Sequence, residues 1–433
     1  MGNPGIYIHI PFCRKKCIYC DFTSYAGRED CFEAFGDAMV REIGLKGAAA
    51  GGRVFDSVFI GGGTPSVLPE RILGKIAAAL FGSFNIDADC EFTVEANPGT
   101  VNLEKLKYYR ALGVNRISFG VQSTDGAALK MLGRIHGRRE IFEAFEDAAR
   151  AGFRNVNADL IFGLPGEQPG SFERTLEEVL ALGPAHISAY SLIVEPDTPL
   201  CDKIEKGVLP EPSETTDRGD YHMLRQMLRG NGFRQYEISN FARPGRESRH
   251  NCKYWNQDEY VGLGPAAASF LEGVRFVNAD SLEAYIGGDS SALDAGKKSL
   301  DAGGKSLDAG GSFEDGNFED GSFADGSAAH AGFSADGAIG KSQTAWPVLK
   351  ESVRLTRKEL MDEYMLLGMR FTDGPDFAGF AARYGEDPFK LYGESLRRLE
   401  EGGYIARSGS GRRPFALTDK GLDFANIIFG EFV

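Results

Sequence analysis

The sequence predicts an α/β protein in which a partial (β/α)6-type barrel precedes a small, mostly helical C-terminal domain of winged-helix-like layout. Three observations support this prediction. Six short apolar runs alternate with helical stretches, polar or glycine-rich residues follow those runs, and the residues from 351 onward combine helical periodicity with a candidate β-hairpin. Strands that alternate with helices form parallel sheets covered by helices. Six such units are too many for a small open sheet and are consistent with a barrel.

Each unit of the predicted barrel combines a short strand with a longer helix. Because six runs are short and apolar, strands are predicted at 6–10, 54–60, 91–96, 116–121, 156–162 and 186–192. The helices between them are predicted at 70–80, 103–112, 139–151 and 171–182. Functional residues of β/α barrels lie at the C-terminal ends of the strands, so the residues that follow each strand are the candidates for a site.

The chain divides into three predicted segments. Residues 1–286 form the barrel domain, with an extension that contains the run His-Asn-Cys-Lys-Tyr-Trp at 250–255. Residues 287–345 are rich in Gly, Ser and Asp, a composition that cannot bury enough apolar surface to fold and therefore predicts a disordered insertion. Residues 346–433 form the C-terminal domain. Its predicted elements are helices at 357–371 and 388–402, a hairpin of 404–406 with 413–417, and a last helix over 418–429.

Composition argues against several classes of protein. The net charge is −14, from 48 basic and 62 acidic residues, which argues against a broad nucleic-acid-binding surface. No apolar run approaches the ~20 residues that a membrane-spanning helix needs, which leaves only contact with a membrane surface open. Seven cysteines in a long chain without a signal peptide argue against a disulfide framework. We therefore expect a cytoplasmic protein with reduced thiols.

Three cysteines directly after the first strand carry the most specific chemistry in the chain. Cys13, Cys17 and Cys20 have the spacing Cys-x3-Cys-x2-Cys. A 4Fe–4S cube has four irons, so three thiolates on one loop can hold three of them and leave the fourth open for another ligand. Zinc is the alternative, but structural zinc sites need a second pair of ligands, and no second cysteine knuckle follows.

Polar residues at successive strand ends predict a ligand beside that open iron. Glycines at 61–63 let the backbone approach a ligand and offer N–H groups to a carboxylate. Glu95 is suited to an ammonium or hydroxyl group, while Gln122, Arg134 and Asp159 are suited to ribose, carboxylate and sulfonium groups. These residues predict a small zwitterion that carries a nucleoside. The phosphate-binding and dinucleotide-binding glycine motifs are absent.

These motifs resemble those of the radical S-adenosylmethionine superfamily. Within it, the runs 7–13, 120–123 and 159–166 resemble the oxygen-independent coproporphyrinogen III oxidase branch. The resemblance implies a 4Fe–4S cluster on Cys13, Cys17 and Cys20, whose fourth iron is chelated by S-adenosylmethionine. It also implies that the S-adenosylmethionine region is lined by Tyr7, Tyr19, Gly62, Gly63, Thr64, Glu95, Gln122, Arg134, Asp159 and Ile193.

Two features separate this chain from the oxidases of that branch. Phe22 stands where the oxidases carry a further cysteine, and little sequence precedes the first strand. The run 250–255 resembles instead the heme-chaperone subgroup of the branch. That resemblance implies heme as cargo, a heme-acceptor protein (a respiratory one) as partner, and His250 as the candidate heme ligand, with Tyr254 and Trp255 against a porphyrin face. Residue chemistry leaves open the alternative that His250 is structural and Trp255 is core.

Two functions from different classes follow. The first is a heme chaperone, which is not a classical enzyme and has no catalytic residue to assign. The alternative is a radical S-adenosylmethionine enzyme, an oxygen-independent coproporphyrinogen III dehydrogenase that acts on porphyrinogen side chains. Phe22 and the run 250–255 favour the chaperone.

Overall fold

The computed structural model describes residues 2–287 and 349–433. The predicted insertion at 287–345 therefore lies outside the described residues, except for Gly287, which ends a helix. No helix within these two stretches is both long and apolar enough to cross a membrane.

The strands and helices of the described chain alternate through the first half, as predicted. The strands are β1 (Gly5–Ile10), β2 (Phe12–Cys13), β3 (Tyr25–Ala26), β4 (Val54–Gly62), β5 (Asn85–Ala96), β6 (Arg116–Gln122), β7 (Asn155–Phe162), β8 (His186–Ser191), β9 (Arg234–Gln235), β10 (Asn240–Ala242), β11 (Tyr260–Leu263), β12 (Ala268–Leu271), β13 (Val274–Asn278), β14 (Leu349–Arg354), β15 (Ile405–Arg407) and β16 (Phe415–Leu417). The α-helices are α1 (Phe32–Ala49), α2 (Glu70–Ser83), α3 (Leu103–Ala111), α4 (Gly126–Leu132), α5 (Arg138–Arg150), α6 (Ser171–Ala181), α7 (Pro199–Glu205), α8 (Glu214–Gly230), α9 (Arg249–Trp255), α10 (Leu282–Gly287), α11 (Arg357–Gly368), α12 (Phe377–Tyr384), α13 (Pro388–Glu401), α14 (Asp419–Asp423) and α15 (Ala425–Gly430).

Twelve of these strands form one sheet, in the order β14-β13-β12-β11-β1-β4-β5-β6-β7-β8-β10-β9. The strands from β11 to β8 are parallel, and the strands beyond them on both sides are antiparallel. The six predicted strands are β1 and β4–β8, which confirms the partial (β/α)6 barrel. On β1, the fully buried Ile6, Ile8 and Ile10 belong to the main hydrophobic core. Because side chains alternate along a strand, Tyr7 and His9 lie on the opposite face, toward the barrel interior.

The C-terminal region has the predicted layout of helices followed by a hairpin. Helices α11, α12 and α13 and the antiparallel pair β15–β16 enclose a second hydrophobic core. Two details differ from expectation. The predicted last helix is two short helices, because Phe424 leaves the helical conformation at φ −121° and ψ 42°. β14 pairs with β13, so it extends the barrel sheet although the predicted boundary at 346 places it in the C-terminal domain.

Candidate functional site

The three candidate cluster ligands lie on one loop at the mouth of the barrel, where the parallel strands end. Cys13 ends β2, which pairs with β3, and the backbone N–H of Cys20 donates to the carbonyl of Cys17 at 3.3 Å. The loop is tied to α4 because the N–H of Ile18 donates to the carbonyl of Leu132 at 3.2 Å. All three thiols are free and half-buried. Burial raises the pKa of Cys13 and raises that of Cys20 to about 11, and the neighbouring thiolates act in the same direction.

The glycine run after β4 packs directly against this loop. The N–H of Gly63 donates to the carbonyl of Ile10 at 2.9 Å, and the hydroxyl of Thr64 lies 3.5 Å from Sγ of Cys13. A Cβ at Gly63 would lie 2.7 Å from the carbonyl oxygen of Phe12 and 3.1 Å from Sγ of Cys13. Any larger residue at position 63 would therefore displace the loop, and glycine leaves this space open.

Arg134 places a cation beside the cysteines. Its Nη1 donates to Sγ of Cys17 at 3.4 Å, and its Nη2 donates to the carbonyl of Gly120 at 2.6 Å. Its Nε is buried and has no hydrogen-bond partner among the described residues. A buried donor of this kind requires an acceptor, so the guanidinium is suited to compensate thiolate charge and to bind a further anionic group.

The described residues contain no group of three His, Cys, Asp or Glu side chains that converges on a single metal ion. This does not conflict with a cluster, because the ligands of a 4Fe–4S cube bind separate irons and need not meet at one point. The half-buried thiols, the space at Gly63 and the cation of Arg134 suit the cluster that the resemblance implies.

His9 and Glu95 organise the part of the mouth next to Gly62. The N–H of Gly62 donates to Oε2 of Glu95 at 3.2 Å. Gly62 has φ 106°, and a Cβ there would lie 2.6 Å from Nδ1 of His9, so both conformation and space require glycine. Nε2 of His9 lies 2.8 Å from the carbonyl of Thr23, and its Nδ1 lies 3.0 Å from the hydroxyl of Tyr7. Burial lowers the pKa of His9, so the neutral ring donates from Nε2 and accepts from Tyr7.

Gln122, Asp159 and Ile193 complete the predicted set on the other side of the mouth. Gln122 has a left-handed backbone with φ 66°, at an irregularity in the pairing of β6 with β7. Such strain in a residue other than glycine is typical of functional sites. The carboxylate of Asp159 accepts from Ser118 at 2.8 Å and from Asn157 at 2.7 Å, and burial raises its pKa. Ile193 follows β8 and is half-buried.

A buried chain of polar side chains, which no sequence motif marked, continues from Asp159 toward the other end of the barrel. Oδ1 of Asn157 lies 2.6 Å from Nδ1 of His186, and Nε2 of His186 lies 2.8 Å from the hydroxyl of Tyr236. That hydroxyl accepts from the N–H of Ser248 at 3.3 Å, and Ser248 caps the N-terminus of α9. Alternation of polar residues within the strands was the only local sign of this chain.

His250 lies at the opposite end of the barrel interior from the cysteines. Its Nδ1 lies 3.0 Å from the hydroxyl of Ser57, its Nε2 lies 2.9 Å from the hydroxyl of Tyr254, and it is 1% exposed. Its ring stacks on Phe59 with centroids 5.3 Å apart. Burial lowers the pKa of His250 to about 3. Because both ring nitrogens of His250 are hydrogen-bonded, the described conformation agrees with the alternative in which His250 is a structural residue.

The surroundings of His250 are equally closed. The carboxylate of Glu91 accepts from the backbone N–H groups of Arg249 and His250, each at 3.1 Å, and so caps α9. Trp255 is 7% exposed, and the guanidinium of Arg370 lies 4.0 Å from its ring centroid. Trp255 is thus core, as the alternative has it, and it presents no open face to a porphyrin here. Glu91 was missed because its partners lie about 160 residues further along the chain.

Comparison with known proteins identifies relatives over nearly the whole chain. Residues 7–179 match the Radical SAM superfamily, and residues 355–424 match the HemN C-terminal domain. The chain is 33% identical over 428 residues to the heme chaperone HemW of Bacillus subtilis, a match that covers 99% of this chain and 98% of that protein. It is 30% identical to the heme chaperone HemW of Lactococcus lactis, with 99% and 96% covered.

A solved structure resembles this chain over both its barrel and its C-terminal region. The structure of coproporphyrinogen III oxidase (HemN) from Escherichia coli, described as a radical SAM enzyme, superposes with a TM-score of 0.75 at 22% identity. The superposition covers 99% of this chain and 90% of that chain. The match confirms the fold class of the barrel and the C-terminal region. The superfamily match implies an iron–sulfur cluster and S-adenosylmethionine as bound groups.

Proposed function

The chain belongs to the HemW family of heme chaperones, and from this premise we propose that it binds heme and transfers it to acceptor proteins. We propose that it does so with a 4Fe–4S cluster and S-adenosylmethionine bound at the barrel mouth. The main support for a cluster at the barrel mouth is that Gly63 and Arg134 pack against a loop with three half-buried thiols.

In this proposal Cys13, Cys17 and Cys20 hold three irons, and S-adenosylmethionine takes the fourth. When reduced, such a cluster supplies an electron that can cleave S-adenosylmethionine. Arg134 compensates the charge of the thiolates. Glu95 accepts a hydrogen bond from the ligand ammonium group, with its orientation set by the N–H of Gly62. The residues proposed to complete the S-adenosylmethionine region are Tyr7, Tyr19, Gly62, Gly63, Thr64, Gln122, Asp159 and Ile193.

A protein that carries heme needs a side chain that can ligate the heme iron. His250 remains the candidate from the resemblance, but both of its ring nitrogens are hydrogen-bonded. Ligation of iron by His250 therefore requires the imidazole to give up its hydrogen bond with Ser57 or the one with Tyr254. The acceptor is proposed to be a heme-dependent respiratory protein.

The alternative function is coproporphyrinogen III dehydrogenation. The polar residues proposed to bind S-adenosylmethionine at the mouth favour this alternative, because the dehydrogenase reaction also needs a cluster and S-adenosylmethionine. Phe22 argues against it, since its side chain is 47% exposed beside the cluster loop at the position where the oxidases carry a cysteine.

A single preparation can separate the two functions. The cluster is reconstituted anaerobically, and the protein is then titrated with ferric heme and assayed with coproporphyrinogen III, S-adenosylmethionine and a reductant. We expect saturable heme binding, transfer of heme to an apo-cytochrome, and no protoporphyrinogen. Sustained production of protoporphyrinogen would refute the chaperone proposal. Absence of saturable heme binding would refute it equally.

A further inference from the structure

An arginine in the barrel interior has no partner within the described chain. Arg116 is the first residue of β6 and is 2% exposed, and its Nε is buried without a hydrogen-bond partner among residues 2–287 and 349–433. Within the same residues, its guanidinium forms no ion pair. Burial of a charged group is costly unless an acceptor or an opposite charge accompanies it. The Arg116 side chain therefore requires an acceptor that these residues do not supply.

Arg116 lies on the interior face of β6, between the mouth and the base. Ile117 and Phe119 are fully buried and belong to the main hydrophobic core. Because side chains alternate along a strand, Arg116 and Ser118 lie on the opposite face, toward the barrel interior. The hydroxyl of Ser118 donates to the carboxylate of Asp159 at 2.8 Å, and Asp159 is partly exposed at the mouth. Arg116 is thus one interior position deeper than the proposed S-adenosylmethionine region.

A second polar group without a partner lies beside Arg116. Thr93 of β5 is the register partner of Arg116. Its side chain lies on the interior face, because the neighbouring Phe92 and Val94 belong to the main hydrophobic core. Thr93 is fully buried, and its hydroxyl has no hydrogen-bond partner in the part of the chain that the structure describes. A guanidinium and a hydroxyl can both donate, so the pair suits a carboxylate, whose oxygens accept several hydrogen bonds.

The charges in the interior favour an anionic ligand for this pair. Burial lowers the pKa of His186 and of His250, and the charge of Arg116 acts in the same direction on both rings. Burial raises the pKa of Asp159, and Arg116 opposes that shift through its charge. Both carboxylate oxygens of Asp159 already accept hydrogen bonds from neighbouring side chains. The guanidinium therefore lies among groups that do not neutralise it by contact, at a depth where its attraction to an anion is strong.

We propose that Arg116 and Thr93 bind a carboxylate group of a molecule that enters the barrel through its mouth. The guanidinium donates paired hydrogen bonds, one of them from Nε, and the hydroxyl of Thr93 donates a third. The remainder of the ligand extends toward the mouth, where Asp159 is partly exposed. This site goes beyond the proposed function, because it requires neither the cluster nor ligation of heme iron. A small free carboxylate and a carboxylate side chain of a porphyrin share the chemistry that it recognises.

The first test measures the thermal unfolding midpoint of the full chain with sodium acetate, with acetamide as the uncharged analogue, and with sodium chloride. A ligand that binds only the folded chain raises this midpoint as its concentration increases. We expect acetate to raise the midpoint saturably, and acetamide and chloride to leave it unchanged. R116Q and R116K, which both remove Nε, should weaken acetate binding about tenfold, as loss of a charged hydrogen bond predicts. T93V should weaken it about threefold.

The matched control is T175V. Thr175 is as fully buried as Thr93, but its hydroxyl accepts from the N–H of Thr124 at 3.2 Å. T175V should therefore change stability without changing the effect of acetate. R116K retains the positive charge, so it keeps the test decisive if R116Q does not fold. Equal shifts of the midpoint by acetate and chloride, or an acetate effect that persists unchanged in R116K and T93V, would overturn the site.

Ferric heme and its dimethyl ester distinguish the two sources of the carboxylate. If a porphyrin carboxylate occupies the site, heme binds more tightly than the ester, R116K removes the difference, and acetate competes with heme. If a small carboxylate occupies it, heme and ester bind equally and only the acetate effect depends on Arg116. Both results support the site. Absence of any acetate effect together with equal binding of heme and ester would overturn it. A chain that binds no heme would overturn the chaperone proposal, and the acetate titration would then decide the carboxylate site alone.

Discussion

Arg134 at the mouth of the barrel and His250 at its base differ in how fully their hydrogen-bonding capacity is used. At the mouth, Nε of Arg134 is buried without a hydrogen-bond partner among the described residues, Gln122 holds a left-handed backbone, and three thiols are half-buried and form no disulfide. At the base, His250 uses both ring nitrogens, and Glu91 accepts two backbone N–H groups of α9. The mouth is therefore arranged for groups that the chain does not itself supply. The base is a closed joint that holds α9 on the barrel.

The largest expected effect is the loss of the cluster at the mouth. In Cys17→Ser, iron content after anaerobic reconstitution should fall from about four per chain to near zero, because a hydroxyl is a poor replacement for a thiolate ligand. The control is Cys201→Ser in α7, which should retain full iron content. Equal iron in both variants, measured together with acid-labile sulfide, would show that the loop does not hold the cluster.

Substitutions at the base of the barrel are expected to lower the stability of the fold, whereas substitutions at the mouth are expected to weaken ligand binding. Glu91→Gln removes a charge that caps α9, and we expect the free energy of unfolding to fall by about 2 kcal/mol, since hydrogen bonds to charged groups contribute about 1.5–3 kcal/mol. Glu104→Gln on exposed α3 is the control, with an expected change within about 0.5 kcal/mol. Denaturant unfolding measures both. If S-adenosylmethionine affinity fell in Glu91→Gln without a loss of stability, the division between the two ends would be wrong.

The closed state of His250 predicts acid sensitivity. Its pKa is about 3 in the folded chain and about 6.5 in the unfolded chain, so below pH 6.5 only the unfolded chain takes up the proton. Stability is thus fully present above pH 6.5 and is lost as the pH falls toward 3. Between pH 7.5 and 5.0 the loss should be about 2 kcal/mol. His250→Gln should reduce this difference when unfolding is measured at both values, and an unchanged pH dependence would indicate that the base is open to protonation.

The smallest effect is expected from the strained backbone at the mouth. Gln122→Gly removes the cost of φ 66° and should stabilise the chain by up to about 1 kcal/mol. The same change removes an amide from the proposed S-adenosylmethionine region and should weaken binding of that ligand, measured by calorimetry on the reconstituted protein. A variant that binds as tightly as the wild type would show that the strain serves only the pairing of β6 with β7.

Local patterns explain why most of the fold was predictable. The six parallel strands and the helices α2, α3, α5 and α6 follow from apolar periodicity within a few residues. Helices α1 and α8 are long but were not predicted. Some elements were missed for local reasons. β5 begins at Asn85, before the predicted start at residue 91, and its exposed first half was missed because it lacks an apolar pattern. α12 was not predicted because it is only eight residues long. The antiparallel edge strands β9 and β10 are too short to give a periodic signal.

The candidate site likewise has residues that short-range sequence features predict and residues whose role depends on long-range contacts. The spacing of Cys13, Cys17 and Cys20 and the glycines after β4 are short-range features, so the amino-acid order alone was sufficient to place them at one end of a barrel. The state of His250 was not, since it depends on Ser57 and Glu91, which are more than 150 residues away. Burial and long-range hydrogen bonds arise only when distant segments pack, and they decide whether the ring nitrogens of His250 are available to a ligand.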